Sequence, residues 1–170
     1  SRGFDAMGCD VGVYDPGDAA CGAMYEQGIL RLISLSPYRI PFDDATFDVV
    51  VSNQVFEHVQ DYSPAVREVH RVLKLGGVAL HTFPPRWKPL EAHVYVPFAG
   101  VWRNSFWLGV WAWLGVRNEH QLGLPADEVA SLNENYLKTS TNYLSTTALR
   151  REFARFFPDV RFVEDIYLKH

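Results

Sequence analysis

A continuous apolar run that ends in polar residues is the feature of this sequence that most limits its fold. The stretch Ile40–Val59 reads IPFDDATFDVVVSNQVFEHV, with three consecutive β-branched residues at Val49–Val51. An unbroken apolar run of this kind, without the alternation of a half-exposed strand, is typical of a strand buried on both faces in a parallel sheet. Polar Ser52–Gln54 follow at the strand's carboxyl end, the edge at which open α/β sheets bind ligands. The stretch therefore predicts a buried strand beside a ligand site.

Strand and helix patterns alternate through the first half of the chain. The helix signals include Ser63-Pro64 as a cap with a first-turn proline, and Gly76-Gly77 as a stop. Because alternation implies parallel pairing, we expect an α/β fold with a doubly wound, mostly parallel sheet. The predicted strands cover residues 10–14, 29–35, 47–52 and 78–83, and the predicted helices cover 18–27 and 63–75. Further along, a helix capped by Ser145 is expected over residues 145–157, and an edge strand over 160–168.

Residues 84–143 interrupt this alternation, and we interpret them as an aromatic, helical insertion within a single domain. All five tryptophans lie here, and the segment leaves a predicted strand at Pro84-Pro85, next to the ligand edge. Three interpretations stay open: a lid over the acceptor, a dimer or membrane-surface patch, and a small satellite core. The aromatic residues concerned are Trp87, Trp102, Phe106, Trp107, Trp111 and Trp113.

Composition excludes some classes of function. The chain has 170 residues, 48% hydrophobic and 21% charged, with a net charge of −4, which describes one globular domain. An acidic balance argues against nucleic-acid binding, which usually needs a basic face. Cys9 and Cys21 lack metal-ligand spacing, so we expect reduced thiols in a cytoplasmic protein. No signal peptide is recognisable, and the apolar tract 98–116 is interrupted by Arg103–Ser105, so no transmembrane segment is predicted.

Three segments taken together resemble the class I S-adenosylmethionine-dependent methyltransferases. They are GCDVGVYDPG, IPFDDATFDVVVSNQVFEHV and REVHRVLKLGGVALHTFPP, within residues 8–85. The likeness is strongest to the small-molecule branch that includes the ubiquinone and menaquinone biosynthesis enzymes. The resemblance implies a Rossmann-like fold, S-adenosyl-L-methionine as cofactor, and a small-molecule, lipid or glycan methyl acceptor.

The resemblance also implies roles for individual residues at the strand ends. Asp15 would bind the ribose hydroxyls of the cofactor, although it also fits the Asp-Pro-Gly turn alone. Ser36 would hydrogen-bond the adenine and Tyr38 would stack on it, although both are also ordinary turn residues. Asn53 would contact the methionine part of the cofactor.

On the acceptor side, three residues are predicted to contribute. His58 would act as a general base for a hydroxyl nucleophile, or it would only shape the helix expected to begin near Gln54. His93 and Tyr95 would be the polar contacts of the insertion with the acceptor. His81, His93 and Glu91 together raise the possibility of a metal site, but their spacing does not match one, and we predict none.

The segment that precedes residue 8 departs from the family pattern. No glycine-rich turn for the cofactor occurs there, so we expect an incomplete domain whose sheet lacks its central strand. A second hypothesis is therefore a binding or scaffold module that keeps the fold without catalysis. A nicotinamide-dependent enzyme of similar fold is disfavoured, because it would not carry the PF…FD…EH set of residues 41–58.

Overall fold

The computed structural model describes residue 3 and residues 5–12 and 19–163 of the chain. These residues divide into two compact units. The first unit comprises the described residues up to Val50 together with Ser63–Ala79, and the second comprises Val51–Tyr62 and the described residues from Leu80 onward. The strands are β1 (Gly8–Asp10), β2 (Leu30–Leu32), β3 (Ser34–Leu35), β4 (Tyr38–Arg39), β5 (Phe47–Asn53) and β6 (Leu73–Thr82). The helices are α1 (Ala19–Glu26), α2 (Tyr62–Val72), α3 (Ser105–Trp113), α4 (Ala126–Thr139) and α5 (Thr146–Ala154).

The predicted mixture of helices and parallel strands is confirmed, but the single sheet is not. β1 pairs in parallel with β2 through α1, with Gly8 opposite Leu30. β5 lies beside β6, with α2 between them in sequence. β3 and β4 form a separate antiparallel ribbon. Across residues 5–12 and 19–163 no strand joins these three pairs into one sheet.

The prediction that β5 is buried on both faces is wrong for the described residues. The side chains of Val49 and Val51 are 57% and 65% exposed, and Val78 and Leu80 of β6 are similarly exposed. Val50, on the opposite face, is half-buried. An apolar run is buried on both faces only when other layers cover the sheet, and the described residues supply no such layer on the Val49–Val51 side.

The helix between β5 and β6 starts and stops earlier than predicted. It begins at Tyr62 rather than Ser63, and it ends at Val72, before the two glycines. Gly77 instead lies inside β6, where a Cβ would come within 2.9 Å of the carbonyl oxygen of Lys74 and 3.1 Å of that of Asp48. Close approach of backbone therefore explains this glycine better than a helix stop does.

Two other boundaries also differ from the prediction. His58 lies in the 3₁₀ turn Phe56–His58, not in an α-helix that begins near Gln54. Residues 160–163 form no strand, and the rest of the predicted edge strand lies outside the described residues. The cap of the last helix is confirmed, because Ser145 Oγ accepts a hydrogen bond from Ala148 N.

In the first unit, one ion pair holds the acidic loop that precedes β5. Arg71 of α2 donates to both carboxylate oxygens of Glu68, to Asp44, and to the carbonyl oxygens of Ile40 and Phe42. Glu68 also accepts from the backbone N–H of Ile40. Burial opposes ionisation of Glu68, but the hydrogen bonds from Arg71 and Ile40 outweigh it and lower the pKa of the carboxyl. The loop is thereby fastened to the helix that follows it.

The second unit has its own hydrophobic core, built from residues 94–137. Helices α3 and α4 pack on each other, and Trp107 and Trp111 of α3 lie against this core. In contrast, Trp87, Trp102 and Trp113 are 66%, 49% and 78% exposed. The fully or largely buried members are Val94, Val96, Ala99, Leu108, Ala112, Val129, Ala130 and Leu137. No helix in the described part of the chain has the length and apolarity that a membrane span requires.

Candidate functional site

The 3₁₀ turn Phe56–His58 is the centre of the candidate site, and an aromatic cluster fixes its position. Phe56 is 3% exposed. Its ring lies 4.5 Å from that of His81 in β6 and 5.2 Å from that of Phe153 in α5. The hydroxyl of Tyr62 donates to the Phe56 carbonyl oxygen over 2.7 Å. With Phe56 held in this way, the two polar residues that follow it have defined positions.

The segment after α4 closes over the same turn. Asn142 donates its backbone N–H to the carbonyl oxygen of Glu57 and its side-chain amide to that of Val59. The carbonyl oxygen of Ser140 lies 2.7 Å from Nδ1 of His58. Because a carbonyl oxygen only accepts, Nδ1–H of His58 donates, and in the neutral ring Nε2 keeps its lone pair. The imidazole is thus oriented with Nε2 available to a ligand.

Glu57 is the least satisfied polar residue of the site. Its side chain is fully buried, at 0% exposure. Neither carboxylate oxygen has a hydrogen-bond partner. A buried carboxylate without a partner is costly, so it marks a place where a group that neutralises or hydrogen-bonds it belongs.

Glu91 is also buried but fully hydrogen-bonded. One oxygen accepts from Nδ1 of His93 over 2.8 Å and from the hydroxyl of Tyr143 over 2.6 Å. The other accepts the backbone N–H groups of His93 and Val94, each over 2.7 Å. The carboxylate therefore closes the turn that carries His93 and sets the orientation of its ring.

These contacts shift the ionisation of the pair. Burial opposes ionisation of Glu91, but the hydrogen bonds from His93, Tyr143 and the backbone outweigh it and bring the pKa of the carboxyl to about 2. The hydrogen bond to Glu91 in turn raises the pKa of His93. Burial alone lowers the pKa of the neighbouring His81 to about 4. Glu91 is thus ionised, and His81 neutral, at neutral pH.

The structure brings together two residues that the sequence selected separately. The rings of His58 and His93 lie 5.0 Å apart, and that of Tyr136 in α4 lies 5.4 Å from His93. One potential ligand atom from each of Glu57, His58 and His93 lies within 4.8 Å of the others. Tyr95 follows in the same turn with a positive φ of 57° and a side chain that is 49% exposed.

The residues predicted to bind the cofactor lie at strand ends and turns. Asn53 is exposed at the carboxyl end of β5, and the next residue, Gln54, has a φ of 54°. Such a conformation is unfavourable for a residue with a side chain and often marks a functional site. The role of Asn53 in cofactor binding stays a prediction.

Ser36 and Tyr38 belong to the first unit. Ser36 is exposed in the turn between β3 and β4, and Tyr38 is half-buried in β4. Burial, with added repulsion from Cys9 and Glu68, raises the pKa of the Tyr38 hydroxyl. Because Ser36 is exposed, its side chain is accessible to a ligand. Asp15 lies outside the described residues.

Sequence reasoning gave no role to Glu57 or Tyr143, and it considered Glu91 only as a possible metal ligand with His81 and His93. Glu57 had a signal, because it stands beside His58 after a predicted buried strand. Glu91 had a weaker one, two residues before His93. Nothing in the sequence marks Tyr143, which is 52 residues from the carboxylate that it contacts.

Comparison with known proteins gives the family of the first part of the chain. Residues 6–81 match the methyltransferase domain family. A demethylmenaquinone methyltransferase of Staphylococcus epidermidis is 40% identical over 68 residues, which cover 39% of this chain and 28% of that protein. A 2-phytyl-1,4-naphtoquinone methyltransferase of Nostoc punctiforme is 31% identical over 98 residues, 56% of this chain and 40% of that protein.

A third relative matches over a shorter segment. A probable S-adenosylmethionine-dependent methyltransferase of Mycolicibacterium smegmatis is 49% identical over 47 residues, 28% of this chain and 18% of that protein. The chain thus spans less than half the length of each of these relatives. No solved structure matches it. Over residues 6–81 the chain is therefore similar to class I methyltransferases, among them the quinone methyltransferases, and this similarity implies S-adenosyl-L-methionine as the cofactor.

Proposed function

We propose that this protein transfers a methyl group from S-adenosylmethionine to a small-molecule acceptor, with a naphthoquinol-like ring as the first class to test. The match of residues 6–81 to the methyltransferase domain family carries this proposal. The acceptor class is taken from the demethylmenaquinone and phytyl-naphthoquinone relatives. A lipid or glycan hydroxyl is the next class to test.

The residues named above would divide the work between cofactor and acceptor. When bound, S-adenosylmethionine supplies an electrophilic methyl group. Asp15, Ser36, Tyr38 and Asn53 would hold the cofactor through its ribose, adenine and methionine parts. His58 would accept the proton of an acceptor hydroxyl at Nε2, since its Nδ1 is already bonded to Ser140. His93 and Tyr95 would orient the acceptor by hydrogen bonds, which contributes through positioning.

Calorimetry with S-adenosylhomocysteine on the full-length protein tests the cofactor part. We expect Asp15→Ala to weaken binding by about 1–3 kcal/mol, or about 5- to 150-fold, as for other charge-assisted hydrogen bonds. Asn135→Ala, an exposed change on α4, is the control and should bind normally. Absence of binding by the unsubstituted protein would refute the proposal and favour a scaffold module. Unchanged affinity of Asp15→Ala would leave Asp15 as a turn residue.

Formation of S-adenosylhomocysteine with a panel of demethylated naphthoquinols, phenols, lipid and sugar hydroxyls tests the acceptor part. Intrinsic fluorescence tests the lid, since all five tryptophans lie between residues 87 and 113. A lid should change the emission when cofactor and acceptor bind. Emission that responds to neither, together with self-association of the chain, would make this segment a contact between copies.

A further inference from the structure

We propose that Glu57, His58 and His93 form a binding site for a divalent transition-metal ion. All three belong to the second unit, and one ligand atom from each lies within 4.8 Å of the other two. Glu57 is buried, His93 is half-buried and His58 is exposed. The site is thus closed on the carboxylate side and open to solvent on the His58 side, which gives an ion a path of entry.

The state of Glu57 is the first argument. A carboxylate that is 0% exposed with both oxygens unpartnered has lost its hydration without any compensating contact. Such a group is stabilised by pairing with a cation or by coordinating a metal. A potential ligand nitrogen of each of the two imidazoles lies within 4.8 Å of a carboxylate oxygen of Glu57, and imidazoles are themselves metal ligands. A bound cation would satisfy all three at once.

The orientation of the two histidines is the second argument, and it is independent of the first. Nδ1 of His58 is bonded to the carbonyl oxygen of Ser140, and Nδ1 of His93 to a carboxylate oxygen of Glu91. Histidines that bind metals almost always donate their other ring N–H to a carbonyl or carboxylate in this way. Both rings therefore have the tautomer and orientation that present Nε2 to an ion.

The ligand set indicates the class of ion. Two imidazole nitrogens and one carboxylate oxygen are the protein ligands of many zinc sites and of non-haem iron sites with open positions. Magnesium and calcium prefer oxygen ligands. At metal–ligand distances of about 2.1 Å, tetrahedral ligands lie about 3.4 Å apart. Since the ligand atoms now lie within 4.8 Å of one another, binding would shorten their separations by up to about 1.4 Å.

The proposal differs from the set that the sequence first suggested. That set joined His93 with His81 and Glu91, and because its spacing did not match a metal site, we predicted none. In the structure Nδ1 of His81 is hydrogen-bonded to the hydroxyl of Ser52, and Glu91 already accepts four hydrogen bonds. Glu91 is thus the supporting partner of a ligand, and the free carboxylate is Glu57.

Equilibrium dialysis against Zn²⁺ with elemental analysis tests the site without any cofactor or acceptor. We expect the full-length protein to bind one Zn²⁺ per chain more than the variants Glu57→Gln, His58→Ala and His93→Ala do. Glu91→Gln should weaken binding by about 10- to 100-fold, as for other supporting partners. His120→Ala is the matched control, because His120 is 84% exposed beside Glu119 and reports weak surface binding. Co²⁺ in place of Zn²⁺ should give the visible absorption of a tetrahedral or five-coordinate site.

Thermal unfolding gives a readout that does not depend on the variants folding identically. A saturating excess of Zn²⁺ should raise the Tm of the unsubstituted protein by about 5–10 °C. In Glu57→Gln the response of the Tm to Zn²⁺ should disappear, because the carboxylate ligand is lost while the size of the side chain is kept. The proposal is overturned if the unsubstituted protein binds no stoichiometric Zn²⁺, or if Glu57→Gln binds it as tightly as the unsubstituted protein does.

A consequence for catalysis rests on the proposed function. A metal at Nε2 of His58 occupies the atom assigned above as proton acceptor, so an acceptor hydroxyl would be activated by the metal instead. Methyl transfer would then fall on chelation and return with Zn²⁺. Failure of this step leaves Zn²⁺ binding intact, and failure of S-adenosylhomocysteine binding in the presence of chelator refutes only the methyltransferase proposal.

Discussion

Replacement of Glu91 by alanine should cause the largest loss of stability among single changes at the site. The carboxylate is 2% exposed and accepts four hydrogen bonds, from Tyr143, from the imidazole and backbone of His93, and from the backbone of Val94. A hydrogen bond to a charged group contributes about 1.5–3 kcal/mol, but bonds to one acceptor are not additive. Breaking a buried charged network usually costs about 3–5 kcal/mol, and we expect a loss in that range.

The measurement is urea unfolding of the full-length protein followed by tryptophan emission. All five tryptophans belong to the second unit, so the emission reports the unit that contains Glu91. A chelator should be present, so that no bound metal contributes to the free energy of unfolding. The midpoint should fall while the slope with urea stays constant, because the surface exposed on unfolding does not change.

Two companion variants make the interpretation specific. Glu119→Ala, whose side chain is 85% exposed, should change the free energy of unfolding by less than about 0.5 kcal/mol. A double-mutant cycle of Glu91→Ala with Tyr143→Phe should give a coupling of about 1–3 kcal/mol, because the two groups are in contact over 2.6 Å. A loss below about 1 kcal/mol for Glu91→Ala, or additive single changes, would refute the view that this carboxylate holds the turn of His93.

Three other predictions concern stability outside this network. The pKa of His81 falls from 6.5 to about 4 on folding, so between these pH values the unfolded chain binds a proton that the folded chain excludes. The free energy of unfolding should therefore fall by about 1–3 kcal/mol as the pH drops from 6.5 to 4. His81→Gln should flatten that pH profile. Arg71→Ala should cost about 3 kcal/mol in the first unit, because buried Glu68 would lose its closest cation and keep only the Ile40 N–H and the more distant Arg39. The loss should be seen as faster hydrogen exchange in residues 40–46, with Arg71→Lys intermediate. Gly77→Ala should cost about 1–3 kcal/mol in chemical unfolding, because its Cβ meets backbone at 2.9 Å, whereas Gly109→Ala, with open space around it, should be neutral or stabilising.

Local signals in the sequence predicted individual elements well. α1 lies within the predicted 18–27, and β5 covers the predicted strand with one residue more. Ser145 caps α5 as expected. Each of these depends on residues close together in sequence: a cap and the backbone N–H that donates to it, a glycine after a helix, or a run of β-branched residues.

Sequence patterns failed where an element depends on what lies against it. The run Val49–Val51 is typical of a strand buried on both faces, but burial needs covering layers that the run itself does not supply, and Val49 and Val51 are exposed. Gly76-Gly77 reads as a helix stop, but a Cβ at Gly77 would come within 2.9 Å of the carbonyl oxygen of Lys74 and within 3.1 Å of that of Asp48, which is 29 residues away in sequence. The pattern predicts a glycine, and part of the reason for it lies in a partner that is distant in the chain.

The same limit applies to the site, where the relatives indicate more about the cofactor than about the acceptor. The family match ends at residue 81, and it includes Asn53, Glu57 and His58. The groups that orient or complete the site come from beyond that point. They are Glu91, His93 and Ser140, whose carbonyl oxygen accepts a hydrogen bond from Nδ1 of His58. The matched segment therefore supports methyl-transfer chemistry, whereas the side chains proposed to contact the acceptor, His93 and Tyr95, lie beyond the family match. Substitution of His93 should accordingly change the choice of acceptor while leaving affinity for S-adenosylhomocysteine unchanged, and a variant that loses both would place His93 with the cofactor instead.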